Sequence, residues 1–438
     1  MSGDGALPDE AYVVALLTLP GLWPARLAAL LGQRRVPRSG GGRSPGGPQS
    51  AEGLWGAGDG GGGPGAEGVW GAGSGPVGGA RGPRPLPSRR SPEEAWEMVR
   101  SGGAASDPAV TRAIGPRAGP EATAAGWASA ARRVDVAGIW DAHRRACVGV
   151  DLLGAPSYPA ELASDRAAPY AVFRAGRSPS LAGPCAAIVG TRRCTPAGAE
   201  VAAEFGRALA VAGVRVVSGL ALGIDAAAHQ GALEAAAAPP IGVVAGGFDV
   251  PYPVRHRVLW AQVAAAGVLV SEWPLGTRSE GWRFPARNRI IAALADVVVV
   301  VESRETGGSM ITAEEAIDRD VPVLAVPGSI RSAPSGGTNK LLRDGIAPAC
   351  GVEDVLAVLS ISSAGRPARH ERPPPPSPAA AAVLATVGWE PTSAEALLGR
   401  TGLERSTLAV HLAHLELDGW VAGGGGWWQR LAADADAT

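Results

Sequence analysis

Between residues 185 and 350, short apolar runs alternate with segments of helical periodicity, and no other feature limits the possible folds as strongly. Six strands rich in Val, Ile, Leu and Ala are predicted, at 186–189, 214–217, 241–245, 268–270, 297–301 and 323–326. Helices are predicted between them, near 198–212, 224–236, 255–266, 287–294 and 309–318. Strands that are apolar on both faces and joined by helices are typical of a parallel sheet covered on both sides. The sequence therefore predicts an α/β, Rossmann-like doubly wound domain whose ligand lies beyond the carboxyl ends of the strands.

The flanking segments predict two further domains. Residues 11–31 read as helix, Pro-Gly turn and helix, which fits a helix-hairpin-helix (SAM-like) domain or an ordinary helical hairpin. We expect an N-terminal helical domain over 1–145, the Rossmann-like domain over 146–360 and a proline-rich linker over 361–378. Three helical patterns followed by glycine-rich turns predict a winged-helix-like domain over 379–438, with a small helical bundle as the alternative.

A glycine-rich stretch interrupts the N-terminal domain. Glycine makes up 20 of the 43 residues from 40 to 82, and the hexapeptide GLWGAG recurs as GVWGAG. Such a composition buries too little apolar surface to offset the entropy of ordering, so a disordered insertion is predicted over about 36–90. The helical pattern resumes with Ser91 as N-cap and Pro92 at the first helical position.

Charge and cysteine content exclude several classes of protein for this chain. With a formal net charge of −1, no overall field draws the chain to DNA or to an anionic membrane, so any nucleic-acid site must be a local patch. The four cysteines are far apart and form no CxxC pair, so neither a zinc site nor a disulfide framework is expected. There is no basic leader and no uncharged apolar run of about 18 residues, so we expect a cytoplasmic protein without membrane contact.

Two strand-end loops bring arginine, serine and glycine to the expected ligand edge. The first carries Arg192 between Gly190 and a predicted helix start, and the second contains Ser218 and Gly219. Glycine lets the backbone approach an anion closely. Neither loop matches GxGxxG, and the chain has no GxxxxGK[ST], so no dinucleotide or nucleoside triphosphate cofactor is expected.

The stretch 284–291 gives the strongest functional signal. Phe284, Arg287, Asn288 and Arg289 open a predicted helix. Helix N-termini favour anions, arginine forks bind phosphates, and an aromatic face stacks on a nucleobase. The combination predicts a site for single-stranded nucleic acid.

Five other residues are candidates at the same edge. Gly308 and Ser309 open the helix after the fifth predicted strand, where free N–H groups favour a phosphate. Arg255, Arg257 and Arg283 are further candidate DNA contacts, because each precedes or opens a helix near that edge.

Taken together, these motifs resemble those of the DprA/Smf family of bacterial DNA-processing proteins, from about residue 158 to residue 350. The motifs that carry the resemblance stand in the family's order: Gly190-Thr191-Arg192, Ser218-Gly219, Gly223-Ile224-Asp225, Ala228-His229, Tyr252-Pro253, Ser271-Glu272, Phe284-Pro285, Arg287-Asn288-Arg289-Ile290-Ile291, Gly308-Ser309, Ile311-Thr312-Ala313 and Val326-Pro327-Gly328.

The resemblance implies a non-catalytic recombination mediator that binds and protects single-stranded DNA during natural transformation, forms homodimers and helps to load RecA. It implies DNA contacts and a phosphate pocket formed by Arg192, Ser218, Gly219, Phe284, Arg287, Asn288, Arg289 and Ser309. The family commonly has arginine in the second loop where this chain has Leu222, so one phosphate contact is lost.

Two other functions fit parts of the pattern. Similar pockets occur in phosphoribohydrolases that cleave nucleoside monophosphates, and Asp225, His229 and Glu272 would then be the acid–base residues. A regulatory nucleotide sensor with a winged-helix transcription-factor module is the third possibility. It is disfavoured because a recognition helix should be basic, and the predicted helix over 404–418 is not. That segment has only Arg405, His411 and His414 against Glu404, Glu416 and Asp418.

Overall fold

The computed structural model describes residues 6–32, 90–177, 180–361, 377–388 and 391–430. Most of the predicted glycine-rich insertion and most of the proline-rich linker lie outside these ranges. Across the described ranges, no helix combines the length and the apolar character needed to span a membrane.

The N-terminal part is helical, as predicted. Its helices are α1 (Asp9–Leu17), α2 (Pro24–Leu30), α3 (Pro92–Ser101), α4 (Pro108–Ile114), α5 (Pro120–Ala131) and α6 (Val136–Arg145). The predicted start of α3 is confirmed: Ser91 Oγ accepts a hydrogen bond from Glu94 N at 3.1 Å, and the Glu94 carboxylate accepts one from Ser91 N at 2.8 Å. This reciprocal capping and Pro92 at the first position define where the helix begins.

A nine-stranded sheet forms the centre of the chain. Its strands are β1 (Gly149–Leu152), β2 (Ala171–Ala175), β3 (Cys185–Val189), β4 (Arg215–Ser218), β5 (Ile241–Val244), β6 (Val268–Ser271), β7 (Val297–Val300), β8 (Val323–Ala325) and β9 (Ala347–Pro348). The spatial order is β1-β2-β6-β5-β4-β3-β7-β8-β9. The pairs from β6 through β9 are parallel, whereas β2 pairs antiparallel with β6 and β1 antiparallel with β2. The Rossmann-like prediction is confirmed, with an antiparallel edge added.

Helices cover both faces of this sheet. They are α7 (Ala160–Ala163), α8 (Pro196–Val211), α9 (Ile224–Ala235), α10 (Arg257–Ala266), α11 (Arg283–Leu294), α12 (Gly308–Ile317), α13 (Gly336–Arg343) and α14 (Val352–Val358). One buried cluster contains Ile290 and Leu294 of α11, and the cluster on the other face contains Phe205 and Leu209 of α8. Every residue of β7 is fully buried between them, which explains its unbroken run of valines.

The helical part shares a core with the antiparallel edge of the sheet. Leu16 and Trp127 from the helices belong to the same buried cluster as Val150 of β1 and Phe173 of β2. The Nε1 of Trp127 donates a hydrogen bond to the Pro20 carbonyl at 2.9 Å, which anchors the turn between α1 and α2. The N-terminal helices are therefore packed onto the sheet rather than tethered to it.

The C-terminal part has the predicted winged-helix architecture. It comprises α15 (Pro378–Thr386), β10 (Thr392–Ser393), α16 (Ala394–Thr401), α17 (Arg405–Leu417), β11 (Val421–Gly424) and β12 (Trp427–Arg430). The three strands form an antiparallel sheet in the order β10-β12-β11. The C-terminal part has its own hydrophobic core, which contains Leu397, Leu408, Leu412 and Leu415.

Candidate nucleic-acid interface

The strand order reverses between β3 and β7, and this point lies at the carboxyl edge where open α/β sheets bind ligands. The loop after β3 carries Arg192. Helix α11 begins four residues earlier than predicted, so Phe284 lies in its first turn and not in the preceding loop.

Two aromatic rings and one guanidinium group meet at this edge. Phe284 is half-buried, and its ring centroid lies 5.5 Å from that of Tyr252, with the ring planes tilted by 47°. The Cζ of Arg192 lies 4.8 Å from the Phe284 ring centroid, and the Arg192 side chain is exposed. Tyr252 is itself 47% exposed. We call Arg192, Tyr252 and Phe284 the rim patch.

The loop that carries Arg192 is fixed by a buried carboxylate. Glu302, two residues beyond the end of β7, accepts hydrogen bonds from Thr195 N at 2.8 Å and Thr195 Oγ1 at 2.6 Å. Its own carbonyl accepts a hydrogen bond from Thr191 N at 2.7 Å. A Cβ on Gly198 would lie 2.4 Å from the Glu302 Cδ, so a larger residue at that position would displace the carboxylate. Burial raises the pKa of Glu302, and the bonds from Thr195 oppose that shift.

Arg287 lies inside the protein, which corrects the expectation of a direct DNA contact. It is only 6% exposed, and its Nη1 donates hydrogen bonds to the carbonyls of Gly219, at 2.8 Å, and Val243. Burial lowers the pKa of the guanidinium to about 10, with Asp225 opposing the shift, so the group stays charged at neutral pH. Arg287 holds the ends of β4 and β5 together beneath the ligand edge.

Arg289 and Asn288 also have structural partners. Arg289 Nη2 contacts both carboxylate oxygens of Glu272, at 2.5 and 2.6 Å, and its Nη1 donates to the Ala167 carbonyl at 2.6 Å. Asn288 is 9% exposed, and its Nδ2 donates to the Gly308 carbonyl at 3.1 Å. These contacts tie α11 to neighbouring loops and leave neither side chain free for a phosphate, which corrects two further sequence expectations.

The start of the second strand-end loop is closed to solvent. Ser218 is fully buried, and its Oγ donates a hydrogen bond to the Ile188 carbonyl at 2.6 Å. Gly219 is buried, and its N–H donates to Asp225 Oδ2 at 3.1 Å. A Cβ on Gly219 would lie 2.2 Å from Arg287 Nη1, so this glycine makes room for the arginine. The expected phosphate pocket at Ser218 and Gly219 is therefore occupied by the protein's own groups.

The remaining candidates divide by exposure. Gly308 is exposed at the start of α12, whereas Ser309 is buried and its Oγ donates to Ser303 Oγ at 2.7 Å. Arg255 and Arg257 are exposed on the segment that follows Tyr252. Arg283 is not available to a ligand, because its guanidinium covers the Trp273 ring at 3.8 Å and the Trp282 ring at 4.7 Å.

Sequence reasoning did not select Tyr252 as a site residue. The dipeptide Tyr252-Pro253 was visible as part of a glycine- and aromatic-rich loop, but nothing in the linear sequence pairs it with Phe284, 32 positions away. The fold brings the two rings together because β5 and β6 deliver their loops to the same edge. The sequence signal that could have identified Tyr252 is an aromatic residue in a predicted strand-end loop.

The acid–base candidates of the hydrolase alternative do not form an open catalytic cluster. Asp225 and His229 are buried, and Glu272 is 4% exposed and paired with Arg289. Burial lowers the pKa of His229 to about 4 and raises that of Asp225. Within the part of the chain that the structure describes, no group of three or more His, Cys, Asp or Glu residues is arranged to hold a metal ion.

Comparison with known proteins matches both the central and the C-terminal regions to family models. A family model described as DNA recombination-mediator protein A matches residues 150–360, and a model of the DprA winged helix domain matches residues 367–426. A DprA relative from Mycobacterium tuberculosis is 44% identical over 171 residues, or 39% of this chain and 44% of the relative. The match thus spans less than half the length of that relative.

Other relatives match over a larger share of their length. The DNA processing protein DprA of Bacillus subtilis is 36% identical over 219 residues, which cover 50% of this chain and 73% of the relative. Protein Smf of Escherichia coli is 34% identical over 281 residues, or 63% and 75% of the two chains. The X-ray structure of DprA from Streptococcus pneumoniae superposes with a TM-score of 0.50 at 30% identity, covering 60% of this chain and 91% of that one.

Two family models follow one another along the chain, and relatives more than 30% identical are matched over more than two thirds of their length. The chain belongs to the DprA/Smf family.

Proposed function

We propose that this chain binds single-stranded DNA through the rim patch and acts in DNA processing as a recombination mediator. The observation that carries the proposal is the stack of exposed Arg192 on half-buried Phe284, with the Tyr252 ring 5.5 Å from the Phe284 ring. Aromatic rings beside a guanidinium group provide base stacking and phosphate attraction with little sequence preference.

The geometry favours a single strand over a duplex. In a duplex the base faces are covered by neighbouring bases, so the rings of Tyr252 and Phe284 could stack only on bases that are free on one side. A duplex-binding surface also needs a broad basic face, whereas this chain has a net charge of −1. A small aromatic patch flanked by Arg255 and Arg257 suits an unpaired strand of a few nucleotides.

Family membership supports the proposed biological role. Relatives from Bacillus subtilis and Streptococcus pneumoniae are named DNA processing protein DprA. The family resemblance extends the proposed role to protection of single-stranded DNA in natural transformation, homodimer formation and RecA loading in the cytoplasm. We propose that the chain does this without catalysing a reaction. Incubation with nucleoside monophosphates should release no base, and light scattering of the purified chain should report a dimer.

The proposed site is tested by substituting its members one at a time. Phe284→Ala should weaken binding to fluorescein-labelled oligo-dT about tenfold, since stacking contributes about 1–3 kcal/mol per base. Arg192→Ala should weaken it severalfold and make the affinity less sensitive to salt, because one phosphate contact accounts for a slope of about −0.7. Anisotropy titrations at several salt concentrations measure both effects.

A matched exposed arginine provides the control. Arg343 is 72% exposed in its side chain and lies outside the rim patch, so Arg343→Ala should leave affinity and salt slope unchanged. A duplex of the same length should bind more weakly than oligo-dT to the unsubstituted chain. Unchanged oligo-dT affinity in folded Phe284→Ala and Arg192→Ala variants would reject the rim patch.

A further inference from the structure

A stack of tryptophan and arginine side chains connects the N-terminal helices to the first turn of α11. Trp23 contacts Trp282 edge to face, with ring centroids 5.3 Å apart, and Trp282 contacts Trp273 in the same way at 5.6 Å. The Arg283 guanidinium covers the rings of Trp273 and Trp282. The Arg26 guanidinium lies 4.3 Å from the Trp23 ring centroid at the other end.

The N-terminal end of this stack is firmly anchored. Arg26 is 6% exposed, and it donates hydrogen bonds to the Gly21 carbonyl at 2.7 Å and the Ile114 carbonyl at 3.2 Å. Its guanidinium also lies 5.9 Å from the Trp127 ring centroid. Trp23 therefore extends from a rigid part of the helical domain, and its ring position is set by that domain.

The other end of the stack lies next to the rim patch in sequence. Trp282 is the N-cap residue of α11, and Phe284 is the second residue of that helix. A separate contact between the same parts of the molecule comes from His143 at the end of α6, whose Nε2 accepts a hydrogen bond from Leu275 N at 3.0 Å. The N-terminal helices thus hold both the loop after β6 and the start of α11.

We propose that Trp23, Trp282 and Arg283 are positioning residues, through which the N-terminal helical domain holds Phe284 in the orientation that stacks on a base. This inference rests on the proposed function of the rim patch and adds the helical domain to the structure of that site. Trp23 acts through Phe284 and makes no contact with DNA. Edge-to-face ring pairs and cation–π contacts hold an orientation because both weaken when the rings tilt or separate.

The test is a double-mutant cycle between Trp23 and Phe284, read by oligo-dT affinity. Trp23→Ala should weaken binding about three- to tenfold, the range expected for loss of an aromatic pair and its cation–π contact. In a Phe284→Ala background the same substitution should change affinity by less than about twofold, because the residue it positions is absent. Trp23→Phe, which keeps an aromatic ring at this position, should recover most of the affinity.

Trp140 provides the matched control. It is a partly buried tryptophan of the same helical domain and packs on that domain's core. Trp140→Ala should leave oligo-dT affinity within about twofold of the unsubstituted chain at a temperature where circular dichroism shows both folded. Should Trp23→Ala fail to fold, Arg283→Met replaces it in the cycle, since it removes the guanidinium from both tryptophan rings while keeping an unbranched side chain.

The experiment distinguishes failure of the positioning role from failure of the proposed function of the rim patch. An equal loss of affinity in both backgrounds overturns the positioning role, because it shows a contribution independent of Phe284. Unchanged affinity in Trp23→Ala, with a clear loss in Phe284→Ala, overturns this inference and leaves the rim patch standing. Unchanged affinity in Phe284→Ala removes the proposed function itself.

Discussion

Arg287→Ala and Arg192→Ala should impair different properties of the chain, although both remove an arginine from the same region of the fold. Arg287 is buried and bonded to the carbonyls of Gly219 and Val243, whereas Arg192 is exposed on the Phe284 ring. We expect the Arg287 substitution to lower the free energy of unfolding and the Arg192 substitution to lower DNA affinity.

The loss of unfolding free energy in Arg287→Ala can be worked out from the contacts of Arg287. A hydrogen bond from a charged donor contributes about 1.5–3 kcal/mol, and Arg287→Ala removes two of them. The substitution also leaves buried Asp225 without its nearby positive charge, and breaking a buried charge pair typically costs about 3–5 kcal/mol. Because Arg287 Nε is buried and has no hydrogen-bond partner among the residues that the structure describes, part of the stabilisation is already offset by desolvation. We expect a net loss of about 3 kcal/mol.

Urea denaturation followed by circular dichroism and tryptophan fluorescence measures this loss. The two probes also show whether the winged-helix domain unfolds separately, in which case the transition of the α/β domain alone is compared. Arg192→Ala should change the unfolding free energy by less than about 0.5 kcal/mol, as is usual at exposed positions. An Arg287→Ala variant with unaltered stability and a tenfold loss of oligo-dT affinity would refute the reasoning, since only a guanidinium that reaches DNA gives that result.

Three further predictions concern buried groups around the site. The folded-state pKa of His229, about 4, lies below its ordinary value of 6.5, so the folded chain binds fewer protons. Stability present above pH 6.5 is therefore lost towards pH 4, by about 3 kcal/mol, and His229→Gln should reduce this loss in urea titrations at the two pH values. Glu272→Gln, which leaves Arg289 without a bidentate partner, should lower the urea midpoint, with a cost of about 2–4 kcal/mol. Gly198→Ala should weaken oligo-dT binding severalfold by displacing the loop that carries Arg192. Gly126→Ala should leave binding unchanged, because no described residue lies within 4 Å of a Cβ added there.

The parallel part of the sheet could be predicted from the sequence because its strands are buried on both faces. Each predicted strand from β3 to β8 lies within one or two residues of the observed one. The antiparallel edge was not predicted, since β1 and β2 are short and each contains a charged residue. Asp151 and Arg174 form an ion pair at 2.6 Å across these two strands, and a charged residue in a four- or five-residue run hides the apolar pattern.

The location of the site was predictable, but the role of each side chain was not. Strand-end loops converge at the switch point in any doubly wound sheet, which places Arg192 and Phe284 together. In the sequence, the arginines around Phe284 were interpreted as phosphate-binding residues. Helical periodicity, however, puts Arg287 on the same face of α11 as Ile291 and Leu294. That face packs against the sheet, so the arginine is buried with them.

Burial of the arginines in the Phe284 motif explains why the proposed DNA-binding surface, the rim patch, is small. Parallel strands end with carbonyl groups that their neighbours do not satisfy, and Arg287 supplies donors to two of them. The exposed Tyr252 ring and the half-buried Phe284 ring then remain for stacking, worth about 2–6 kcal/mol for two bases. This alone gives a dissociation constant no tighter than roughly 40 µM. A chain with a net charge of −1 gains little from long-range attraction to DNA. Tight binding then requires several patches on one strand, because a second patch joined to the first engages the same DNA at a high effective concentration. The homodimer that we propose would join two rim patches in this way, so the limited area of one rim patch is a physical argument for it.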